Sequence, residues 1–210
     1  MELETWATWK TNKDSDPDFE RFDIRHEFEY GVTDRLQLAF YFLDWRYEKS
    51  AKKSGTTTFQ EVAVEAIYNL TNPNVAAFGS AIYGEIKGSG DYIELESKLL
   101  FQKNLGPWVL VYNIGGEVAW ENHYEDAEAE IMQSLGVAYQ ISPSWSVGAE
   151  LLHEIEVPEG RHLGDNGVYL GPNLSWRQTG FSITTTAMWQ ATHLGSEPDF
   201  QLRTLFTLEF

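Results

Sequence analysis

The chain has 210 residues, 42% of them apolar and 14% aromatic, with a formal charge of −17 and no cysteine. This composition excludes a disordered tail, a disulfide framework and a thiolate metal site, and with no basic stripe it excludes nucleic acid as a partner. No stretch approaches the roughly 18 consecutive apolar residues that a membrane helix requires, so any membrane role falls to strands.

The chain opens as a strand. Met1-Glu2-Leu3-Glu4 already alternates, which predicts a mature form without a signal peptide and one domain over residues 1–210. A first strand is predicted over 2–11, followed by a connection carrying Asp14, Asp16 and Asp18. The second, over 20–30, is the most informative: Phe22, Ile24, His26, Phe28 and Tyr30 share one face, and Arg21, Asp23, Arg25, Glu27 and Glu29 share the other. Gly31-Val32-Thr33-Asp34 makes a tight turn into a third strand over 36–47, which breaks the pattern. There Tyr41, Leu43, Trp45 and Tyr47 fall on the nominal inner face and Asp44 on the outer, predicting either a register shift or aromatics that plug the interior. A connection with Lys49, Lys52 and Lys53 leads to a fourth strand over 58–70, and Thr71-Asn72-Pro73-Asn74 turns into a fifth over 75–87.

The sixth strand is predicted over 91–102 and the seventh over 108–121, joined by Asn104-Leu105-Gly106-Pro107. The eighth covers 127–140, and Ser142-Pro143-Ser144 turns into the ninth over 145–154. A longer connection over 157–166 precedes the tenth, 167–177, where Pro172 sits mid-strand and predicts a bulge or a local break in the ladder. Gln178-Thr179-Gly180 turns into the eleventh over 181–191, and the last strand runs over 199–210.

Tight and longer connections alternate along the chain, the mark of a meander with one short-looped and one long-looped rim. The expected fold is all-β: a transmembrane antiparallel up-and-down β-barrel of about 12 strands. A water-soluble barrel would turn its charged faces outward and fill its middle with the apolar ones, yet a barrel of this strand number is too wide to be filled that way. Aromatics support the transmembrane arrangement. Tyr30, Tyr68, Phe101, Trp108, Tyr139, Trp145, Trp176, Phe181 and Phe210 stand by the short turns, and Trp9, Trp120, Trp189 and Phe200 near the other ends. The ten steps from Phe200 to Phe210, at about 3.3 Å each and a tilt near 40°, give roughly 25 Å, the height of the apolar band of such barrels.

The closing strand, Asp199-Phe200-Gln201-Leu202-Arg203-Thr204-Leu205-Phe206-Thr207-Leu208-Glu209-Phe210, resembles the C-terminal signature of outer-membrane proteins. The hairpin Tyr30-Gly31-Val32-Thr33-Asp34-Arg35-Leu36-Gln37-Leu38 is similar to turns in small porin-like and transporter-like outer-membrane families. The resemblance implies a Gram-negative outer-membrane location and makes Phe206, Leu208 and Phe210 an assembly signal for the barrel assembly machinery. Outer-membrane lipid and lipopolysaccharide are then its surroundings, and it implies no particular solute.

Chemistry should lie on the inward parity. That parity carries Glu61, Glu65, Glu85, Glu94, Glu96, Glu117, Glu121, Glu128, Glu130, Glu150 and Glu154, nearly all expected in the half nearer the long connections, with Lys10, Arg21, Arg25 and Arg203 facing them across the seam. One reading is a channel for small solutes whose acidic wall favours cations or zwitterions. The other is a closed barrel, its interior tied by Glu–Arg and Glu–Lys pairs, that acts structurally, in adhesion or in a complex through its loops.

No enzyme is expected. Of the histidines His26, His123, His153, His162 and His193, His26 and His153 face outward, and His193-Leu194-Gly195-Ser196 is an unspecific loop pairing. No cofactor or metal is expected either: Asp14, Asp16 and Asp18, and Glu121, Glu125, Asp126 and Glu128, are oxygen-rich but lack EF-hand spacing.

Overall fold

The computed structural model describes all residues except 91, 122–125 and 159–162. Its strands are β1 (Glu2–Lys13), β2 (Asp16–Gly31), β3 (Leu36–Ser50), β4 (Lys53–Phe59), β5 (Val62–Thr71), β6 (Gly79–Ser89), β7 (Tyr92–Leu105), β8 (Trp108–Glu121), β9 (Asp126–Ser142), β10 (Trp145–Pro158), β11 (Asn166–Gln178), β12 (Phe181–Gln190) and β13 (Pro198–Glu209). Apart from β4 and β5, neighbours in the chain pair antiparallel, and β1 closes the sheet on β13 from Glu2↔Glu209 to Lys13↔Pro198. The Phe210 N–H adds a 2.9 Å bond to the Met1 carbonyl at the seam. β4 and β5 both pair with β3, one above the other, so they form a single interrupted stave and the barrel has 12 staves.

Closure leaves no lateral edge, which is what allows strands to cross a hydrocarbon layer with their backbone groups satisfied. The apolar parity faces outward, as Phe40, Val64, Ile82, Ile86, Leu95, Leu99 and Leu170 show by their exposure. Rings gather at its two margins. Trp108 meets Tyr139 at 4.9 Å, Trp145 meets Trp176 at 5.9 Å and Trp176 meets Phe181 at 5.1 Å on the short-turn margin. Trp9 and Trp189 both contact Phe200 on the other, at 6.0 and 5.2 Å.

The two irregular strands resolve differently. In β3 the register with β2 passes from Glu27↔Tyr41 to His26↔Leu43, so Phe42 is an extra residue. That bulge reverses the parity above it: Asp44 and Arg46 turn inward opposite Arg25 and Asp23, while Trp45 turns outward onto Phe59 at 5.6 Å. Tyr41, below the bulge, stays inward and buried. In β11 the ladder to β12 is interrupted between Leu170↔Trp189 and Asn173↔Thr186 without any shift of register. Pro172 lacks a donor N–H, so the ladder to β12 is interrupted there instead of bulging, while β11 itself runs on, paired to β10 through Ala149↔Pro172.

The long-connection rim differs from the expectation. Asp14-Ser15 and Ala51-Lys52 alone separate β1 from β2 and β3 from β4, so the charged stretches around Asp14 to Asp18 and Lys49 to Ser54 are mostly hairpin strand. Their alternation continues beyond the apolar band, and backbone pairing continues with it. At the other rim β6 begins at Gly79, later than position 75, because Asn72 turns the chain by accepting the Val75 and Ala76 N–H groups. Gly106 and Gly180 sit in their turns at φ of 60° and 83°, where a side chain would be strained.

Candidate functional site

The inward faces of the staves are unequal in bulk, and that inequality shapes the lumen. On β3, β5, β6 and β7 they carry Tyr41, Glu65, Tyr83, Glu85, Lys87, Glu94, Glu96 and Lys98; on β8 to β12 they carry Gly115, Ser134, Gly136, Gly148, Asn173, Ser175 and Thr184. The first set fills its half of the bore. The second leaves a cavity of about 640 Å³, whose walls include Trp6, Lys10, Gly136, Glu150, Glu154, Asn173, Gln201 and Arg203.

In the filled half each buried carboxylate has partners. Lys87 Nζ lies 2.5 Å from Glu94 and 3.4 Å from Glu85, and Lys98 Nζ lies 2.5 Å from Glu96 and over the Tyr83 ring. The hydroxyls of Tyr41, Tyr83 and Tyr92 donate to Glu65, Glu85 and Glu94. Arg25 stacks on the Tyr41 ring at 4.6 Å. Unpaired, these carboxylates would carry a heavy desolvation cost at this depth, so the ammonium and hydroxyl groups are what make the packing possible.

On the cavity side the charges are held more openly. Glu150 accepts from Asn173 Nδ2 and Thr186 Oγ1, each at 3.0 Å, and its other oxygen lies 4.0 Å from Arg203 Nη1. Arg203 also approaches the Met188 sulfur at 3.8 Å. Lys10 makes no hydrogen bond or ion pair among the described residues.

The register joins the glutamates in a way that spacing along the chain does not reveal. Directly opposed positions run Glu209, Glu2, Glu29, Ala39, Glu65, Glu85, Glu96, Glu117, Glu130, Glu156 across ten consecutive staves. Because the strands tilt, this row climbs from the short-turn rim at Glu2 and Glu209 to the opposite rim at Glu156. Glu94 and Glu128 stand one inward position above it, opposite Ala119. Glu61 sits at the break between β4 and β5, while Glu121 and Glu128 are exposed at the upper rim. Of the expected cations, Arg21 is bonded to Asp23 at 2.8 Å beside Arg46, and only Arg203 and Lys10 border the cavity. Sequence reasoning passed over Glu2, Glu4, Glu156 and Glu209, whose inward parity was readable once their strands were placed.

Glu2, Glu4 and Glu29 bring carboxylate oxygens within 4.8 Å of one another at the short-turn end. Asp16 instead serves a turn, accepting from the Asp18 and Ala51 N–H groups at 3.2 Å. Outside the barrel, His153 bridges Gln133 and Asn166 at 3.5 and 2.7 Å, and His26 bonds Thr5 at 2.9 Å. Ser196 donates to Asp165 at 3.2 Å, not to His193. His123, Glu125 and His162 lie outside the described residues.

Solved structures share the architecture. The COG4313 outer membrane channel from Pseudomonas putida F1 superposes with a TM-score of 0.71 at 14% identity, over 100% of this chain and 94% of that one. A KdgM porin in complex with disordered oligogalacturonate gives 0.65 at 9% identity, over 100% and 99%. LpxR from Salmonella typhimurium gives 0.60 at 8%, over 100% of both chains. At such identities the likeness establishes the outer-membrane barrel fold and no activity. No curated protein matches in sequence. Residues 1–204 match a family described as a family of unknown function, DUF6662.

Proposed function

The chain belongs to the family of unknown function DUF6662, and from that premise we propose that it is a channel of the Gram-negative outer membrane for passive or weakly selective passage of small solutes, with a glutamate-rich lumen that favours cations. The observation that carries this reading is the 640 Å³ cavity inside the barrel, which follows β9 from Met132 to Ala138 and β10 from Glu150 to Glu154. Six residues of tilted strand correspond to roughly 15 Å of height, a large part of the apolar band. The porin and channel among the fold neighbours support a transport role, and no catalytic step enters the proposal.

The charge preference follows from the glutamate row. Carboxylates inside a low-dielectric wall are screened less than acids on exposed hairpins, so they dominate the potential along the path. The outer partners in this proposal are the surrounding lipid and lipopolysaccharide, whose phosphates the Lys49, Lys52 and Lys53 hairpin would meet, and the barrel assembly machinery, which reads Phe206, Leu208 and Phe210.

The test is conductance of the purified protein in a planar bilayer under a salt gradient. A reversal potential of cation-selective sign is expected, reduced when Glu94, Glu96, Glu117 and Glu150 are replaced by Gln. Anion selectivity would overturn the charge assignment. A complete lack of conductance would favour the second reading, a closed barrel with a structural, adhesive or complex-forming role, which the buried, inward Tyr41 and Tyr83 support.

A further inference from the structure

The cavity is not simply acidic. Its β10 wall presents Glu150 and Glu154, whereas β1 and β13 present Lys10 and Arg203; Lys98 also borders it, but its ammonium is spent on Glu96 at 2.5 Å. β11 and β12 lie between β10 and β13, so the Glu150–Arg203 approach of 4.0 Å spans a chord of the lumen instead of linking neighbouring strands. The two sets of charges therefore line different walls of one space of about 640 Å³, whose lining also includes Ser175, Asn173, Thr184 and Gln201.

The state of each group narrows the class of ligand. Glu150 is held in place by Asn173 and Thr186 on one oxygen, leaving the other turned toward Arg203. Among the described residues Arg203 makes the 4.0 Å approach to Glu150 and the 3.8 Å contact with sulfur, and Lys10, within electrostatic reach of Glu130 and Glu154, makes no hydrogen bond or ion pair. A cation entering this space meets Lys10 and Arg203. An anion meets Glu150 and Glu154 here and the glutamate row around it. A solute carrying both an ammonium and a carboxylate has no net charge for the acidic lumen to act on, and it can satisfy both walls at once.

We propose that this cavity is a binding subsite for small zwitterions of the amino-acid type, with the carboxylate toward Lys10 and Arg203 and the ammonium toward Glu150 and Glu154. The inference rests on the channel reading and gives it a preferred solute class. The hydroxyl and amide groups lining the same space accept and donate to polar atoms in the middle of the solute, and Trp6, fixed by its indole N–H bond to Glu4 at 3.1 Å, forms a rigid side of the space.

β-Alanine and lactamide have the same atomic composition, but only the first is a zwitterion, so their fluxes into proteoliposomes isolate charge from size. Used with the whole protein, β-alanine should enter about five-fold faster than lactamide at low concentration and saturate as its concentration rises, a ratio in keeping with the modest energies of solvated charge complementarity. The ratio does not depend on how much protein inserts. It should fall to about one in the double variant Lys10→Gln, Arg203→Gln and be retained in Lys10→Arg, Arg203→Lys.

The outcomes separate the two levels of the argument. If neither solute enters, the channel reading itself fails. If both enter equally, or if the β-alanine preference survives loss of both cations, the channel stands and the subsite is overturned. Propylammonium entering faster than β-alanine would also overturn it, because the general acidity of the lumen would then outweigh the opposed walls.

Discussion

The two halves of the lumen are both built from antiparallel strands of 10 to 17 residues, yet one is packed and the other is open. Across β3, β5, β6 and β7, long side chains meet in the middle: Tyr41, Tyr83, Lys87 and Lys98 tie down Glu65, Glu85, Glu94 and Glu96. Across β8 to β12 the inward positions include Gly115, Ser134, Gly136, Asn173, Ser175 and Thr184 beside Met132, Leu152, Glu150 and Glu154, and the cavity lies against them. A barrel of this strand number lies between the filled and the channel-forming sizes, so the volume of its inward side chains decides which it becomes. Here each answer applies to one side. Charge follows the division in part: Glu85, Glu94 and Glu96 on the packed side are paired with Lys87 and Lys98, whereas Glu150 and Glu154 line the cavity.

The comparison breaks most directly by filling the open side. Gly136 lines the cavity, and a Cβ there would meet only ordinary contacts, Glu150 at 3.9 Å and Val111 at 4.0 Å. Gly136→Trp should therefore fold and lower solute flux by about ten-fold or more, because bulk placed in the bore removes the water-filled path. Gly84 faces outward with nothing within 4 Å of its Cβ position, so Gly84→Trp should leave flux within about two-fold of the parent, its ring simply joining the apolar belt. Equal losses from both would mean that the solute does not pass beside β9.

Stability should show the reverse asymmetry. Lys87→Met leaves Glu85 and Glu94 buried without their ammonium, a change that costs about 3–5 kcal/mol where a buried pair is broken. Arg203→Met, on the open wall, should cost about 1 kcal/mol or less, since its pair is long and partly exposed. Urea unfolding of the detergent-solubilised protein measures both, and similar losses would show that the two walls are equally packed. A smaller effect follows from the hydroxyls. Tyr83→Phe removes the donor to Glu85 and should cost about 1–3 kcal/mol without changing flux.

The smallest effect is expected at the rim. Asp14, Asp16 and Asp18 lie in an exposed hairpin, where salt screens them, so their joint replacement by Asn should shift the reversal potential much less than replacing Glu150 and Glu154 by Gln. Equal shifts would place selectivity at the mouth and not in the cavity. At the far end, deletion of Phe210 removes its N–H bond to Met1 at the seam and the last residue of the closing strand. The amount of protein inserted in cells should fall, while the flux per inserted molecule stays the same.

Much of this was legible in the residues. Strand alternation is a local property with a period of two, so Phe22 to Tyr30 against Arg21 to Glu29 assigned the outer and inner faces of β2 without reference to any other strand. Turn residues punctuated the meander, and the girdles followed from which aromatics stood next to turns. The doubled apolar parity of β3 announced an irregularity, but its resolution needed the neighbouring strand, because a bulge is defined by the partner it slips against. The alignment of glutamates from Glu209 to Glu156 was likewise out of reach, since register between strands depends on tilt and closure, which no segment encodes by itself.

The sequence alone therefore determined the number of staves and the face of each side chain along the regular strands, both of which depend on neighbours a few residues apart, but not the faces of β3 above its bulge. Only the tertiary structure decided which carboxylates are paired and which are free, and that the lumen is open on one side. Those outcomes depend on volumes and charges summed across strands as distant in sequence as β1 and β13 or β10 and β13. Lys10 and Arg203 lie almost the whole chain apart, and they face one cavity because closing the barrel brings its first and last strands together.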